Sequence, residues 1–476
     1  MASSGDSPDT SNVWAMADKN TGPGEQIYPY DPPRLTVNLS LAPERRYDQV
    51  TAYMKQRLDL RQEFNNILDE TVGPSIAAAL RITAHLLMRR LHSDEEDAEL
   101  RGISKATGIP HSILVMINVF LDMAMGCTSG GARVSVPADK EAHGSSGCPE
   151  GTSAGDGDRS TTSMLHFRTL DWCDGPLRKM IIELDFVASE GGPVVARTLT
   201  YYGYVGVLTG VRPGLSVSLN SRVLHDRSTL RKRFRYRGHQ LLACIGRRPG
   251  ISSQLRSLLF DNESLGAETA TPPKCGDSKG DSPKRIHGSG EKDAEISNIL
   301  QKLQAAPSTA AYLVLCTPTR VYSIEQDHRS ATWTSSDNIL VACNHDVAEE
   351  ASPRNDPEAG QPKQETRSFL NVLPGFPHRI GWIIDQSMER KQSIMAVREG
   401  IMDARRRNNA GEHDQQDRHS HCRCGVREDE QDKTMTHEDL LTMVKTGPIS
   451  NEGTHFAVVM DPSAGEIVWR KAYAEN

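Results

Sequence analysis

Apolar positions along the chain follow two regimes that meet near residue 126. Before it, Val50, Tyr53, Met54, Leu60, Phe64, Ile67 and Leu68 recur every three to four residues, and Gly73-Pro74 ends the run. That spacing predicts an amphipathic helix. Ile76 to Leu91 predicts a second helix, apolar over most of its circumference. Ser93-Asp94-Glu95-Glu96 has the form of a capping box, and the helix it opens should stop at Gly108, with Pro110 just beyond. Ser112 to Met123 reads as a further apolar helix that leads into Gly126-Cys127. Ahead of these, 28–33 suggests an extended arm and Leu35 to Leu39 a short strand.

Beyond Cys127 the period shortens to two. Gly131 to Val136, Met164 to Arg168, Met180 to Val187, Val194 to Tyr202, Tyr204 to Thr209 and Leu215 to Asn220 are short and β-branched or alternating, with Gly and Pro between most of them. After a helical stretch, Ala294 to Gln304, come Ala311 to Cys316, Arg320 to Ile324, Phe456 to Met460 and Glu466 to Arg470. Helices and strands segregate in blocks, which predicts a layered α+β domain.

Four stretches interrupt the pattern: 137–162, 263–293, 348–367 and 404–433. They are rich in Gly, Ser, Asp, Glu, Lys and Pro and poor in large apolar residues. Such segments bury too little surface to offset chain entropy, so we read them as disordered insertions. The resulting division is a polar leader (1–27), a helical α module (28–126) and a β chain (127–476). A length of 476 residues would otherwise suggest about three domains.

Composition narrows the function. A formal net charge of -7 argues against a general nucleic-acid binder. The leader lacks the basic and apolar regions of a secretory signal, and Ile76 to Leu91, the longest apolar run, is short for a membrane span and contains Arg81 and His85. The expectation is a soluble chain, cytoplasmic as written. Nine cysteines without framework spacing suit a reducing compartment. His413, His419, His421, Cys422 and Cys424 match no structural zinc spacing, and no Gly-rich phosphate loop or serine elbow is present. We expect neither metal nor cofactor.

The junction Met125-Gly126-Cys127-Thr128-Ser129 carries the candidate chemistry. If the Gly126–Cys127 bond is cut, Cys127 holds a thiol and a free α-amine on one residue, and the amine can serve as base to its own nucleophile. Glycine before the cysteine leaves its carbonyl open to attack. Taken alone, the pentapeptide describes an ordinary cysteine; the rest of the chain changes that.

Several blocks resemble the acid ceramidase and N-acylethanolamine acid amidase family of N-terminal-nucleophile (Ntn) hydrolases. They are Thr107-Gly108-Ile109-Pro110, Gly126 to Ser129, His166 to Trp172, Gly203 to Leu215, Leu219 to Arg222, Cys343-Asn344-His345-Asp346 and Ser387 to Arg390. The resemblance runs from about Pro33 through nearly everything outside the four insertions. It implies an αββα Ntn-hydrolase sandwich, a precursor cleaved at Gly126/Cys127, and α and β chains that stay associated. It also implies roles for single residues: Cys127 the nucleophile, Arg168 beside it, Asp171 holding the new amine, Asn344 in the oxyanion site, Arg390 a later active-site arginine, and Asn220 and Tyr204 lining the substrate site. A guanidinium near sulfur lowers a thiol pKa, and an amide N–H can stabilise a tetrahedral oxyanion.

One departure stands out: the family commonly has Asn-Glu-Arg where this chain reads Asn220-Ser221-Arg222. That leaves two classes of function open, an amidase of N-acyl lipids, with ceramide or an N-acylethanolamine as substrate, and a decayed lipid-binding scaffold. The basic run Arg227 to Arg237, with Phe234 and Tyr236 interleaved, is either a solvated face or a peripheral membrane contact. The helix at Ile76 to Leu91 likewise either packs on the β chain or meets lipid. By resemblance the compartment is lysosome-like, in tension with the amino terminus.

Overall fold

The computed structural model describes residues 27–121, 126–136, 161–172, 175–222, 226, 228–260, 289–350, 379–416, 434–451 and 453–475. The leader and the central parts of the four expected insertions lie outside these residues. At the insertion borders the chain is regular: a helix starts at Ser289, and another runs on to Gln416.

The N-terminal segment forms two strands, β1 (Ile27–Tyr30) and β2 (Arg34–Asn38), and five helices. These are α1 (Asp48–Lys55), α2 (Leu60–Val72), α3 (Pro74–Leu87), α4 (Asp94–Thr107) and α5 (His111–Leu121). Local chemistry sets the ends of α4. The Ser93 hydroxyl accepts the Glu96 N–H at 3.3 Å, four acidic residues occupy the first turn, and Gly108 closes the helix at φ 73°.

Two sheets follow. Sheet A has the order β1-β15-β14-β4-β3-β12, with β13 (Met435–Thr436) also paired to β3. Its strands are β3 (Gly126–Val136), β4 (Thr161–Asp171), β12 (Ile339–Ala342), β14 (Thr454–Asp461) and β15 (Glu466–Glu475). Sheet B has the order β11-β10-β9-β8-β7-β6-β5-β2. Here the strands are β5 (Ile181–Val187), β6 (Val194–Tyr201), β7 (Thr209–Arg212), β8 (Leu215–Ser221), β9 (Ala311–Cys316), β10 (Val321–Gln326) and β11 (Ala331–Ser336).

Period-two alternation sorts side chains between the layers. On β14, Phe456, Val458 and Met460 join the core shared with sheet B, while Ala457 and Val459 join a second core with α11 (Arg379–Gln416) and α12 (His437–Lys445). Helices α1 to α5, α8 (Ile251–Leu259) and α9 (Ser289–Ala305) share the core of sheet B. The result is an α+β sandwich of two sheets between helical layers, as the Ntn-hydrolase resemblance implies. Gly131 sets the separation of the sheets near the site: a Cβ there would lie 2.7 Å from Val321 and 2.8 Å from the Cys316 sulfur.

The segment before Cys127 is built into both sheets. β1 pairs with β15 at the edge of sheet A, and β2 runs parallel to β5 at the edge of sheet B. A buried ion network adds to this: Arg256 on α8 makes two 2.7 Å contacts with Glu99 on α4, and Arg46 reaches the same carboxylate at 3.0 Å.

Some expectations need correction. Tyr204 to Thr209 is not a strand. Gly203 turns the chain at φ 84°, Val205 N–H is taken by Asn118 Oδ1 at 2.9 Å, and Val207 N–H by Ser252 O at 3.1 Å, so these groups bond to side chain and helix instead of a neighbouring strand. The basic run forms a helix, α7 (Leu230–Cys244), capped by the Thr229 hydroxyl. Helix α3 stops at Leu87 instead of Leu91. Two short strands, β11 and β12, and the helices α8 and α12 are not anticipated by the pattern; α11 is the polar helix expected around Arg390.

Candidate active site

Cys127 enters at the start of β3, directly across from Leu170 on β4, with Ser129 across from Arg168 and Gly126 across from Asp171. Residues opposite one another on antiparallel strands share a face. Cys127, Ser129, Arg168 and Leu170 therefore point between the sheets, while Asp171 points toward α11.

Arg168 is fully buried. Its Nη2 donates to Leu219 O at 2.7 Å and lies 3.2 Å from Cys127 Sγ; its Nη1 donates to Leu208 O at 2.5 Å and to the Thr209 hydroxyl. Carbonyls, not a carboxylate, thus hold the guanidinium against the sulfur, and it also lies 5.8 Å over the Phe456 ring. The effect on the thiol differs from expectation. Burial pushes the Cys127 thiol up, and the Arg168 charge only partly offsets this. In the uncut chain the sulfur is closed to solvent and held protonated.

Asn344 follows β12 and holds the nitrogen of Cys127, whose N–H donates to Asn344 Oδ1 at 2.8 Å. Arg390 Nη2 donates to the same oxygen at 2.9 Å, and Asn344 Nδ2 donates to Ser221 O at 2.8 Å. An N–H and a guanidinium only donate and a carbonyl only accepts, so this network fixes which way the amide points. One Nδ2 hydrogen is thereby committed to Ser221, and the expected oxyanion donation would fall to the other.

Asp171 is buried and 3.5 Å from Arg390 Nη1, and Thr454 Oγ1 donates to it at 2.8 Å. Burial pushes its carboxyl up, against the pull of Arg390, Thr454 and Asn451. Asn220 accepts from the Ser129 hydroxyl at 2.6 Å and donates to Ala342 O at 3.1 Å, bracing β3, β8 and β12 together. Cys127, Arg168, Asp171, Asn344, Arg390 and Asn220 thus converge. Tyr204 sits in another neighbourhood, buried in the 202–208 turn beside Ser252 of α8.

Several supporting residues had gone unnoticed. Ser387 Oγ accepts the Asn344 N–H at 2.5 Å and bonds His345 Nδ1 at 2.7 Å. Arg222 forms a two-point pair with Asp346, 2.8 Å on each oxygen, and Tyr312 donates to Asp346 at 2.7 Å. The 343–346 turn is therefore clamped on both sides. Only the Ser387–Arg390 spacing, one helical turn, hinted at this in sequence; Thr454 gave no signal. Among the described residues no group of three or more His, Cys, Asp or Glu side chains could hold a metal ion. The cluster at 419–424 lies outside the described residues.

The sequence profile described as beta subunit of N-acylethanolamine-hydrolyzing acid amidase matches residues 30–92, inside the segment termed the α module above. Mouse acid ceramidase is 28% identical over 204 residues, 39% of this chain and 45% of that protein. N-acylethanolamine-hydrolyzing acid amidase of Caenorhabditis elegans is 30% identical over 204 residues, 40% of this chain and 48% of that protein. These matches support the resemblance to the acid ceramidase and N-acylethanolamine acid amidase family. The matched stretches span about half the length of these family members. A solved structure of the Caenorhabditis elegans amidase ortholog aligns with 71% of this chain and 93% of its own, at 18% identity and a TM-score of 0.36.

Proposed function

We propose that this chain is a precursor that cuts itself before Cys127 and then hydrolyses the amide of an N-acyl lipid. The observation that carries the proposal is the double grip on one residue: Arg168 Nη2 at 3.2 Å from its sulfur and Asn344 Oδ1 at 2.8 Å from its nitrogen.

In self-cleavage, Sγ attacks the Gly126 carbonyl, its proton passes to the Cys127 nitrogen, and the C–N bond breaks as a thioester forms. Water then hydrolyses the thioester to a Gly126 carboxylate and regenerates the thiol. The product amine, with an ordinary pKa of about 7.7–8.0, can accept the thiol proton and pass it to the leaving amine of a substrate. The same sulfur then forms an acyl-enzyme that water releases as fatty acid. Asp171, across from Gly126, is positioned to hold the new ammonium. The strand pairings of β1 and β2 would keep both chains together after the cut.

Ceramide is the leading substrate and an N-acylethanolamine the alternative. Lipid substrates also make a peripheral membrane contact attractive. Helix α3 buries Ala77 and Ala84 but turns Ile82 (64% exposed) and Leu86 (58%) outward, and the Arg-rich α7 turns out Leu230 (69%) and Phe234 (76%). Among the described residues no helix is long and apolar enough to cross a membrane.

The protonated, enclosed thiol and the serine at 221 support a second reading, a lipid-binding scaffold that never cleaves. Intact mass of recombinant protein separates the two: an enzyme gives two chains with a new terminus at Cys127, absent in Cys127→Ala, whereas a persistent single chain favours the scaffold. Incubation with ceramide and with an N-acylethanolamine follows, and fatty acid released from neither would end the amidase reading.

A further inference from the structure

A cavity of about 30 Å³ lies where the N-terminal module meets α7 and α8. Arg248, Gly250, Ser252 and Thr309 line it from one side, His92 and Glu96 from the other. Helix α8 begins there. Gly250 is its N-cap, no side chain caps it, and its first turn carries no acidic residue. Gly250 and Ser252 both line the cavity, so the positive end of the helix faces it.

A further observation points to a ligand. Thr309, 5% exposed and part of the lining, leaves its hydroxyl without a hydrogen-bond partner. Arg248 donates to His239 Nδ1 at 3.1 Å, a ring that burial keeps neutral by lowering its pKa to about 4, so the guanidinium charge is not cancelled by it. One opposing charge is present, Glu96. It is already committed, accepting from Ser253 Oγ at 2.7 Å with Arg256 Nε at 3.9 Å.

We propose that this cavity binds a phosphate group, free or at the end of a lipid, held by Arg248, the N-terminus of α8 and the Thr309 hydroxyl. The lining brings together one guanidinium, the amino end of a helix and an unpartnered hydroxyl, against a single committed carboxylate. The site is also mechanically tied to the thiol. Ser252 O holds Val207 N–H at 3.1 Å, the next residue's carbonyl, Leu208 O, takes Arg168 Nη1 at 2.5 Å, and Arg168 contacts the sulfur.

Titration calorimetry on the full-length Cys127→Ala chain, with inorganic phosphate at constant ionic strength against chloride, tests the proposal. Saturable phosphate binding is expected, weakened at least tenfold in Arg248→Gln and several-fold in Thr309→Val. Thr309→Val removes one hydroxyl without changing charge, so it keeps the test valid should Arg248→Gln fold poorly. Sedimentation with phosphatidylcholine vesicles, with and without phosphatidic acid, separates the sources. A lipid phosphate gives acid-dependent sedimentation that both variants reduce, and a free phosphate gives calorimetric binding alone. Equal phosphate binding by both variants and the parent overturns the proposal, as does no binding of either phosphate source.

Discussion

The Nη2 of Arg168 stands 3.2 Å from the sulfur of Cys127, yet the pair is so deeply buried that the thiol stays protonated. A guanidinium stabilises a thiolate only as far as its charge outweighs the cost of removing that anion from water. Here three acceptors in addition to the sulfur share the guanidinium, Leu208 O, Leu219 O and Thr209 Oγ1. The uncut chain is thus poised but not activated. If the reading above is right, activation comes with the new amine, a base that the peptide nitrogen cannot be.

Replacement of Arg168 should therefore cost rate before it costs fold. Arg168→Lys keeps a charge but cannot span two carbonyls and the sulfur from one planar group. We expect appearance of the chain beginning at Cys127 to slow at least tenfold, about 1.4 kcal/mol in the barrier, with unchanged far-ultraviolet circular dichroism. Timed intact mass after expression reads it. Cleavage at the parent rate in Arg168→Lys would remove Arg168 from the chemistry.

Asn344 makes a second prediction. Its oxygen is the acceptor for both the Cys127 nitrogen and Arg390, and its Nδ2 ties it to β8. Asn344→Leu keeps the volume and removes all three bonds, so cleavage should fall a hundredfold or more. Ser387→Ala removes the brace on the Asn344 N–H and the bond to His345 but leaves the Asn344 side-chain bonds in place, and should slow cleavage by a few-fold. If the two variants slow it equally, the nitrogen-holding role is wrong.

The Glu99–Arg256 pair predicts stability, not rate. Both partners are buried, and removing Arg256 leaves Glu99 with Arg46 as its remaining charged partner, a loss of up to about 3–5 kcal/mol. Arg256→Met should lower the urea midpoint sharply, and Arg256→Met with Glu99→Leu should recover most of the difference. Failure of the double variant to recover would mean that Arg46, which also reaches Glu99, dominates the network.

Sequence patterning anticipated the elements that have one clear period: α4 between its cap and Gly108, β5, β8, β9 and β14. It failed where backbone bonds go to distant partners. The 204–208 turn is β-like in composition, but Asn118 and Ser252 take its N–H groups. Helix α11 has no apolar stripe to read, because among its described residues the buried apolar positions Ile384, Ile394 and Met402 are few and widely spaced. At the site, motif blocks named the six residues that converge. Thr454 carries no local signature, and Ser387, Arg222 and Asp346 stand inside motif blocks that assign them no role, since each matters only through a contact far away in sequence.

The last prediction concerns acid. His166 lies two residues before Arg168 on β4, fully buried, with its ring nitrogens 2.9 Å from Ser216 Oγ and Ser218 Oγ. Burial and the nearby Arg168 lower its pKa to about 3. An unfolded histidine takes its proton near pH 6.5, so below that pH the unfolded chain binds a proton that the native chain refuses. Stability from His166 is therefore complete above about pH 6.5 and falls by up to about 1.4 kcal/mol per pH unit down to about 3. Asp171 acts in the opposite sense. Its carboxyl is raised by burial, so its contribution is complete below the unfolded value of about 3.9 and is lost as pH rises through the folded one. Urea midpoints measured between pH 4 and 7 should fall toward acid in the parent. They should fall less steeply in His166→Gln, which can still reach both serines, and more steeply in Asp171→Asn. Parallel slopes in all three proteins would mean that neither group titrates as its burial requires, and the protonated thiol beside them would lose its physical basis too.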